Sequence, residues 1–217
     1  FIRIMPLIQN LLLWRTKMLA CLDLEGVLIP EIWVNVALKT GIKELELTTR
    51  DVPDYDVLMK RRLKILKDNN IKIQDIQAVI ATLSPLEGAY EFLQWLKSEY
   101  QIVILSDTFY QFAKPMMKQL DYPTLFCHNL EINSTGEITN YHLRLQNQKQ
   151  KAVEKFKELN FKVAATGDSY NDINMLKAAD HAVFFTAPDS IKKEYSNFRF
   201  AENYQELKVA FESFLKG

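Results

Sequence analysis

An α/β fold is predicted: a Rossmann-like parallel sheet flanked by helices, with a small helical cap inserted into it. Three observations predict it. Short apolar runs alternate with stretches of helical period. Three of those runs end in or just before an aspartate, at Asp23, Asp107 and Asp168. One long region, from Glu31 to Pro85, has helical periods but no strand. Buried runs separated by helices specify a parallel sheet, because parallel strands need a crossover that returns the chain to the same edge.

The strand-like runs are LACLDL (19–24), IVILSD (102–107), VAATGD (163–168) and HAVFF (181–185). Helical periods cover 31–39, 54–69 and 72–83 within the insertion, then 109–119 and 149–159. The alternating stretch NLEINSTGEITNYHLRL (129–145), with Thr135-Gly136 at its turn, reads as a β-hairpin extending one edge. The division expected is a core of residues 18–30 and 86–217 with a cap of 31–85. Residues 1–17 are apolar, but Arg3, Pro6, Gln9 and Asn10 interrupt them, and the run is too short to span a bilayer. They read as an upstream extension or tail, with the functional domain expected from Met18.

Composition narrows the function. The 217 residues carry 27 basic and 27 acidic side chains, a formal charge of zero, so there is no basic excess for nucleic acid and no basic stripe for a membrane surface. With 48% hydrophobic residues the chain can bury a full core. Two cysteines, Cys21 and Cys127, make no disulfide framework, and three histidines without paired spacing make no zinc cluster. A cytoplasmic protein acting on a small molecule is expected.

The chemistry is sought where ligands gather in open parallel sheets, outside the carboxyl ends of the strands. Asp23 and Glu25 stand two residues apart where the first strand gives way to a loop; taken alone, they could simply cap the next helix. Ser106, Asp107 and Thr108 close the second strand before a helix, where a hydroxyl and free amides suit a phosphate, or an ordinary N-cap. Gly167-Asp168-Ser169-Tyr170-Asn171-Asp172 ends the third strand, and a turn capped by Asn171 or Asp172 is its plain alternative. Carboxylates at the ends of neighbouring strands, Asp23 and Asp168, must be neutralised by a proton or a cation, and an oxygen-only site suits Mg²⁺.

Periodicity selects two basic residues. Lys149 shares the inward stripe of its helix with Ala152, Val153 and Phe156, whereas Lys151 points away. Snorkelling to solvent is the alternative for Lys149. Arg62 sits amid Tyr55, Leu58, Met59, Ile65 and Leu66, opposite Lys60, Lys64 and Lys67. A guanidinium there needs an anion, either a substrate carboxylate held by two parallel hydrogen bonds or an acid within the cap. Arg61, at the edge of the stripe, is the weaker candidate.

This ordered set resembles the haloacid dehalogenase superfamily, and within it the phosphoserine phosphatase branch, from Met18 to about Ala210. Its four motifs correspond to DLEGVL (23–28), Ser106 after IVIL, Lys149, and GDSYND (167–172). The stretch LMKRRLKILK (58–67) and PLEGA (85–89) are similar to that branch's cap and its return to the core. Two departures stand out: Glu25 where an aspartate is usual, and Asp107-Thr108 where small glycines follow the serine. The pairing of DLEGVLIPEIW with LSDTFY is similar to the bifunctional phosphoserine phosphatase and homoserine phosphotransferase subgroup.

The resemblance implies a mechanism. Asp23 is the nucleophile that becomes an aspartyl phosphate; Glu25 is the general acid and then base. Mg²⁺ is held by Asp23, the Glu25 backbone carbonyl and Asp168, with Asp172 ordering a metal-bound water. Ser106 and Lys149 bind phosphate oxygens. Arg62 takes the substrate carboxylate and Glu31 its ammonium, with Asp107 and Asn171 in the same cavity. The donor is O-phosphoserine and the acceptor water or homoserine. A phospho-accepting signalling domain uses a similar aspartate, hydroxyl and lysine but needs no helical lid. A phosphatase for another small phosphomonoester, or a silent binding module, shares the fold.

Overall fold

The computed structural model describes residues 17–48, 51–52 and 54–216. The region read as a tail lies outside the described residues except for Lys17. Strand β1 (Met18–Leu22) is buried on both faces, as a continuous apolar run requires in a parallel sheet. Its alternation divides the core. Met18, Ala20 and Leu22 join one cluster, while Leu19 and Cys21 join another on the opposite face.

The inserted stretch holds, among the described residues, three α-helices: α1 (Ile32–Thr40), α2 (Tyr55–Asp68) and α3 (Ile73–Ile80). Helix α1 ends at Gly41, whose positive φ of 73° suits the left-handed closing turn, with its N–H donating to the Ala37 carbonyl. The Asp54 side chain caps α2 by accepting from the Asp56 and Val57 amides at 2.9 and 3.1 Å. Ile32, Val36, Met59, Leu66, Ile73 and Ile76 continue the first core cluster into Phe109, Phe112 and Met116, so the insertion is anchored through apolar contact with the sheet layer.

Helix α4 (Ala89–Glu99) leads to β2 (Gln101–Phe109), α5 (Tyr110–Gln119), β3 (Leu125–Ile132) and β4 (Ile138–His142). Then come α6 (Gln148–Glu158), β5 (Lys162–Gly167), α7 (Ile173–Ala178), β6 (His181–Phe185), α8 (Asp189–Glu194), β7 (Arg199–Ala201) and α9 (Tyr204–Phe214). The seven-stranded sheet has the order β4-β3-β2-β1-β5-β6-β7, with only the β3–β4 pair antiparallel. The chain builds outward from β1 to one side, then returns to build on the other. This reversal opens a crevice at the carboxyl ends of β2, β1 and β5.

The four expected strands are present within two residues of their bounds. The hairpin is also present, but its first strand begins at Leu125 and pairs in parallel with β2. It does more than extend an edge: the Tyr141 hydroxyl donates to Asp56 at 2.7 Å, and the Ile73 amide donates to the Gly136 carbonyl at 2.9 Å. The hairpin thereby braces α2 and the start of α3. Strand β7 and helices α4, α7, α8 and α9 were not anticipated. Among the described residues no helix is long and apolar enough to cross a membrane, and Cys21 and Cys127 are buried free thiols.

Candidate active site

The tip of β1 carries Asp23, 4% exposed, whose amide donates to the Thr166 carbonyl of β5 at 3.0 Å. Sheet pairing thus fixes its backbone one residue beyond the strand. Its Oδ1 accepts from the Leu24 amide at 2.8 Å and lies 2.9 Å from Lys149 Nζ. The chain then turns sharply at Gly26, φ 75°, where a Cβ would fall 2.3 Å from Asp168 Oδ2. Glycine is needed there both for the left-handed backbone and for the approach of that carboxylate. Tyr204 of α9 holds the turn by donating to the Val27 carbonyl at 2.6 Å.

Glu25 leaves this turn and accepts from the Ile32 amide at 2.8 Å, at the positive end of α1. Burial raises its pKa even though that amide, Thr108 and Arg62 favour the charged form. A carboxyl in such a setting can hold a proton and return it.

Lys149, 4% exposed in the first turn of α6, reaches Asp23 Oδ1 at 2.9 Å, Asp172 Oδ1 at 2.8 Å and Asp107 Oδ2 at 3.5 Å. The inward stripe is as expected: Val153 is buried and Lys151 exposed. Burial opposes the ammonium, but Asp107, Asp172 and Asp23 together hold its pKa well above the ordinary lysine value. Burial acts the other way on Asp107, whose carboxyl is nonetheless kept well below the usual range by Lys149, His128 and Asn171.

Asp168 and Asp172 follow β5. Gly167 permits the approach, since a Cβ there would lie 2.3 Å from Asp172 Cγ. Asp172 is fully buried and committed: its Oδ2 accepts from the Asp168 and Ser169 amides at 3.1 and 3.2 Å, and its Oδ1 meets Lys149. It lies behind the cavity, tying the loop, rather than lining it. Asp23, Asp168 and Asp172 each bring an oxygen within 4.8 Å of the others. Burial and neighbouring acids push Asp168 up to about 7 and hold Asp23 well above its ordinary value. Three carboxylates against one ammonium leave negative charge that a proton or a cation must offset. An all-oxygen donor set with two such acids at its front fits Mg²⁺.

Ser106 lies in the second strand and ahead of a helix, as the sequence reading had it, and the plain N-cap alternative does not apply. Strand β2 runs on to Phe109 and α5 starts at Tyr110, so Ser106 is a strand-end residue. Its hydroxyl accepts from the Thr108 amide at 3.2 Å. The strand continues because Thr108 and Phe109 are buried, Phe109 among aromatic rings that include Phe112 and Tyr141.

A cavity of about 280 Å³ brings together Asp23, Glu25, Glu31, Arg62, Ser106, Asp107, Lys149, Asp168 and Asn171. All the expected site residues except Asp172 therefore line one space. Arg62 is 7% exposed; it donates to the Leu47 carbonyl at 2.7 Å and lies 4.5 Å over the Trp33 ring. Among the described residues its buried Nε has no hydrogen-bond partner. Burial lowers its pKa to about 10, leaving it charged at neutral pH. The exposed Glu31 sits where the chain enters α1.

The family model for haloacid dehalogenase-like hydrolases matches residues 17–180. The chain belongs to this family. This hydrolase is 52% identical over 207 residues to a phosphoserine phosphatase of Pseudomonas syringae pv. tomato, covering 95% of this chain and 87% of the relative. It is 53% identical over 193 residues to phosphoserine phosphatase ThrH of Pseudomonas aeruginosa, covering 89% and 94%. A solved structure described as a phospho-aspartyl intermediate analogue of phosphoserine phosphatase superposes with a TM-score of 0.75 at 23% identity, covering 91% of this chain and 99% of that one.

Sequence reasoning missed four residues around the hydrolase site. His128 faces Asp107 at 3.5 Å, and the Tyr55 hydroxyl donates to the Asp107 carbonyl at 3.1 Å. Gln148 donates to the Ser106 carbonyl, and Thr108 hydrogen-bonds Glu25. Tyr55 and Thr108 were visible as neighbours of residues singled out. His128 gave no signal, since it stands one residue before the alternating stretch that begins at Asn129.

Proposed function

We propose that this hydrolase is a Mg²⁺-dependent phosphoserine phosphatase working through an aspartyl phosphate on Asp23, and that it also transfers the phosphoryl group to homoserine. The observation that carries the reading is the sharing of one buried ammonium, Lys149, by Asp23 and Asp172 at the floor of a cavity whose other wall holds a buried, incompletely satisfied arginine. Charge for phosphate at one end and for a carboxylate at the other matches a small phosphorylated amino acid. The two relatives above support the same substrate.

In the first step an Asp23 carboxylate oxygen bonds to phosphorus as the bond from phosphorus to the seryl oxygen breaks; the Glu25 carboxyl gives its proton to that oxygen. In the second, water or the homoserine hydroxyl attacks phosphorus, Glu25 takes up its proton, and the bond to Asp23 breaks. One difficult displacement becomes two easier ones. Asp23, Asp168 and the Glu25 backbone carbonyl would hold Mg²⁺, which when bound supplies positive charge to the transferring group. Ser106 and Lys149 bind phosphate oxygens and keep the anionic ester beside an anionic nucleophile. Arg62 binds the substrate carboxylate and Glu31 the ammonium, while Asp107 and Asn171 bound the space between.

Transfer to homoserine rests on the combination of DLEGVLIPEIW and LSDTFY noted above. Phosphate release from a panel of phosphorylated amino acids and sugars, with and without Mg²⁺, tests the first half; repeating it with homoserine and assaying phosphohomoserine tests the second. Phosphoserine is expected to lead the panel, with Arg62→Ala erasing the preference. A sugar phosphate leading it, indifferent to Arg62→Ala, would remove the amino-acid assignment and leave the reaction class intact.

A further inference from the structure

Asp107 lies on a boundary. Its side chain, 34% exposed, lines both the inner cavity and a larger outer cleft of about 1020 Å³ bounded also by His128, Tyr141 and Asn174. A carboxylate in that position can turn outward into the cleft unless it is held. Asn171 Nδ2 donates to its Oδ2 at 3.0 Å, and Lys149 Nζ lies 3.5 Å from the same oxygen. The other oxygen, Oδ1, faces His128 Nε2 at 3.5 Å.

The ring of His128 is set by its surroundings. It is 3% exposed on β3, with the rings of Tyr55 and Phe109 packed at 6.3 and 6.2 Å. Its Nδ1 accepts from the Arg144 backbone amide at 3.1 Å. A nitrogen that accepts carries no proton, so the ring hydrogen is on Nε2, on the edge facing Asp107. The Arg144 guanidinium is elsewhere, over Phe126 at 4.3 Å, and does not compete for this carboxylate.

We propose that His128 is a positioning residue for phosphoryl transfer: its locked Nε2–H tautomer anchors Asp107 by Oδ1 and so keeps Oδ2 on Lys149, which is then shared between Asp107, Asp172 and the nucleophile Asp23 and stays where a phosphate oxygen meets it. His128 touches neither substrate nor reacting atoms and acts through Asp107. The inference rests on the proposed reading only in taking Lys149 as the phosphate-binding cation.

A double-mutant cycle tests it, with p-nitrophenyl phosphate and phosphoserine as substrates and inorganic phosphate binding followed by calorimetry. His128→Phe fills the same space without a donor; it is expected to lower kcat and weaken phosphate binding by about 10-fold each, with Arg62-dependent selectivity retained. In an Asp107→Ala background the same change is expected to cost nothing more, and His128→Gln, which keeps an N–H at that distance, recovers part of the loss. An equal loss in both backgrounds reduces His128 to packing and overturns the proposal. Nitrogen-15 NMR of the wild-type ring needs no variant to fold: a neutral ring protonated at Nδ1 also overturns it. Phosphate binding and the ring spectrum remain readable even if phosphoserine proves not to be the substrate.

Discussion

Lys149 illustrates how much one side chain carries at the scale of the residue. Its ammonium offsets Asp23, Asp107 and Asp172 at once, so removing it both strands buried carboxylates and strips the floor of the cavity. Lys149→Met is expected to lower kcat by roughly 10²- to 10³-fold. Asp23→Asn keeps the shape but removes the proposed nucleophile, and is expected to lower kcat by roughly 10³-fold or more while phosphoserine still binds; single-turnover and binding assays separate the two effects. Arg62→Ala is expected mainly to raise KM, by roughly 10- to 100-fold, the size of a lost charge-assisted hydrogen bond. The two basic residues were legible in the sequence because a charge in an apolar stripe violates the helical pattern. His128 was not, because it stands just before the alternating stretch at 129–145 and interrupts no pattern; its meaning comes from β3 lying beside β2, a neighbour some twenty residues earlier.

Elements place these residues with little tolerance. The turn after β1 brings the Gly26 backbone against Asp168, and an added methyl would meet that carboxylate at 2.3 Å. Gly26→Ala is therefore expected to weaken Mg²⁺ binding and activity more than it lowers Tm, as read by metal titration beside thermal melting. The β3–β4 hairpin braces α2 through Tyr141, whose ring also packs edge-on against Tyr55 at 5.9 Å. Tyr141→Ala is expected to raise hydrogen exchange in α2 while α4 and α9 keep their protection; unchanged exchange in α2 would show that the brace is idle. Strand ends bearing acids made the carboxylate positions readable in the sequence. The end of β2 was placed two residues early, at Asp107, because the burial of Thr108 and Phe109 that carries the strand on to Phe109 leaves no mark in the local pattern.

At the scale of the whole molecule, the described residues join seven strands and an inserted helical segment around an acidic crevice. The α/β class was legible from periodicity, and so was the insertion, from the missing strand between β1 and β2. Strand β7, three residues long, and the pairing order were not, since neither is encoded in a local pattern. The crevice holds more negative than positive charge, so a cation that binds only the folded form stabilises it. Mg²⁺ is expected to raise the Tm of the wild-type chain. Asp168→Asn, with one acid fewer, is expected to melt higher than the metal-free wild type and to lose the Mg²⁺ response; a lower melting point would refute this account of the cluster.

The central seat of β1 also bears on how the chain is made. Its two neighbours, β2 and β5, begin at Gln101 and Lys162. During synthesis β1 therefore keeps one flank unpaired until residue 162 has been made, and contacts so distant along the chain slow folding. Nascent chains released before residue 162 would expose an apolar strand edge and associate with one another, whereas chains a few residues past Gly167 would begin to resist proteolysis.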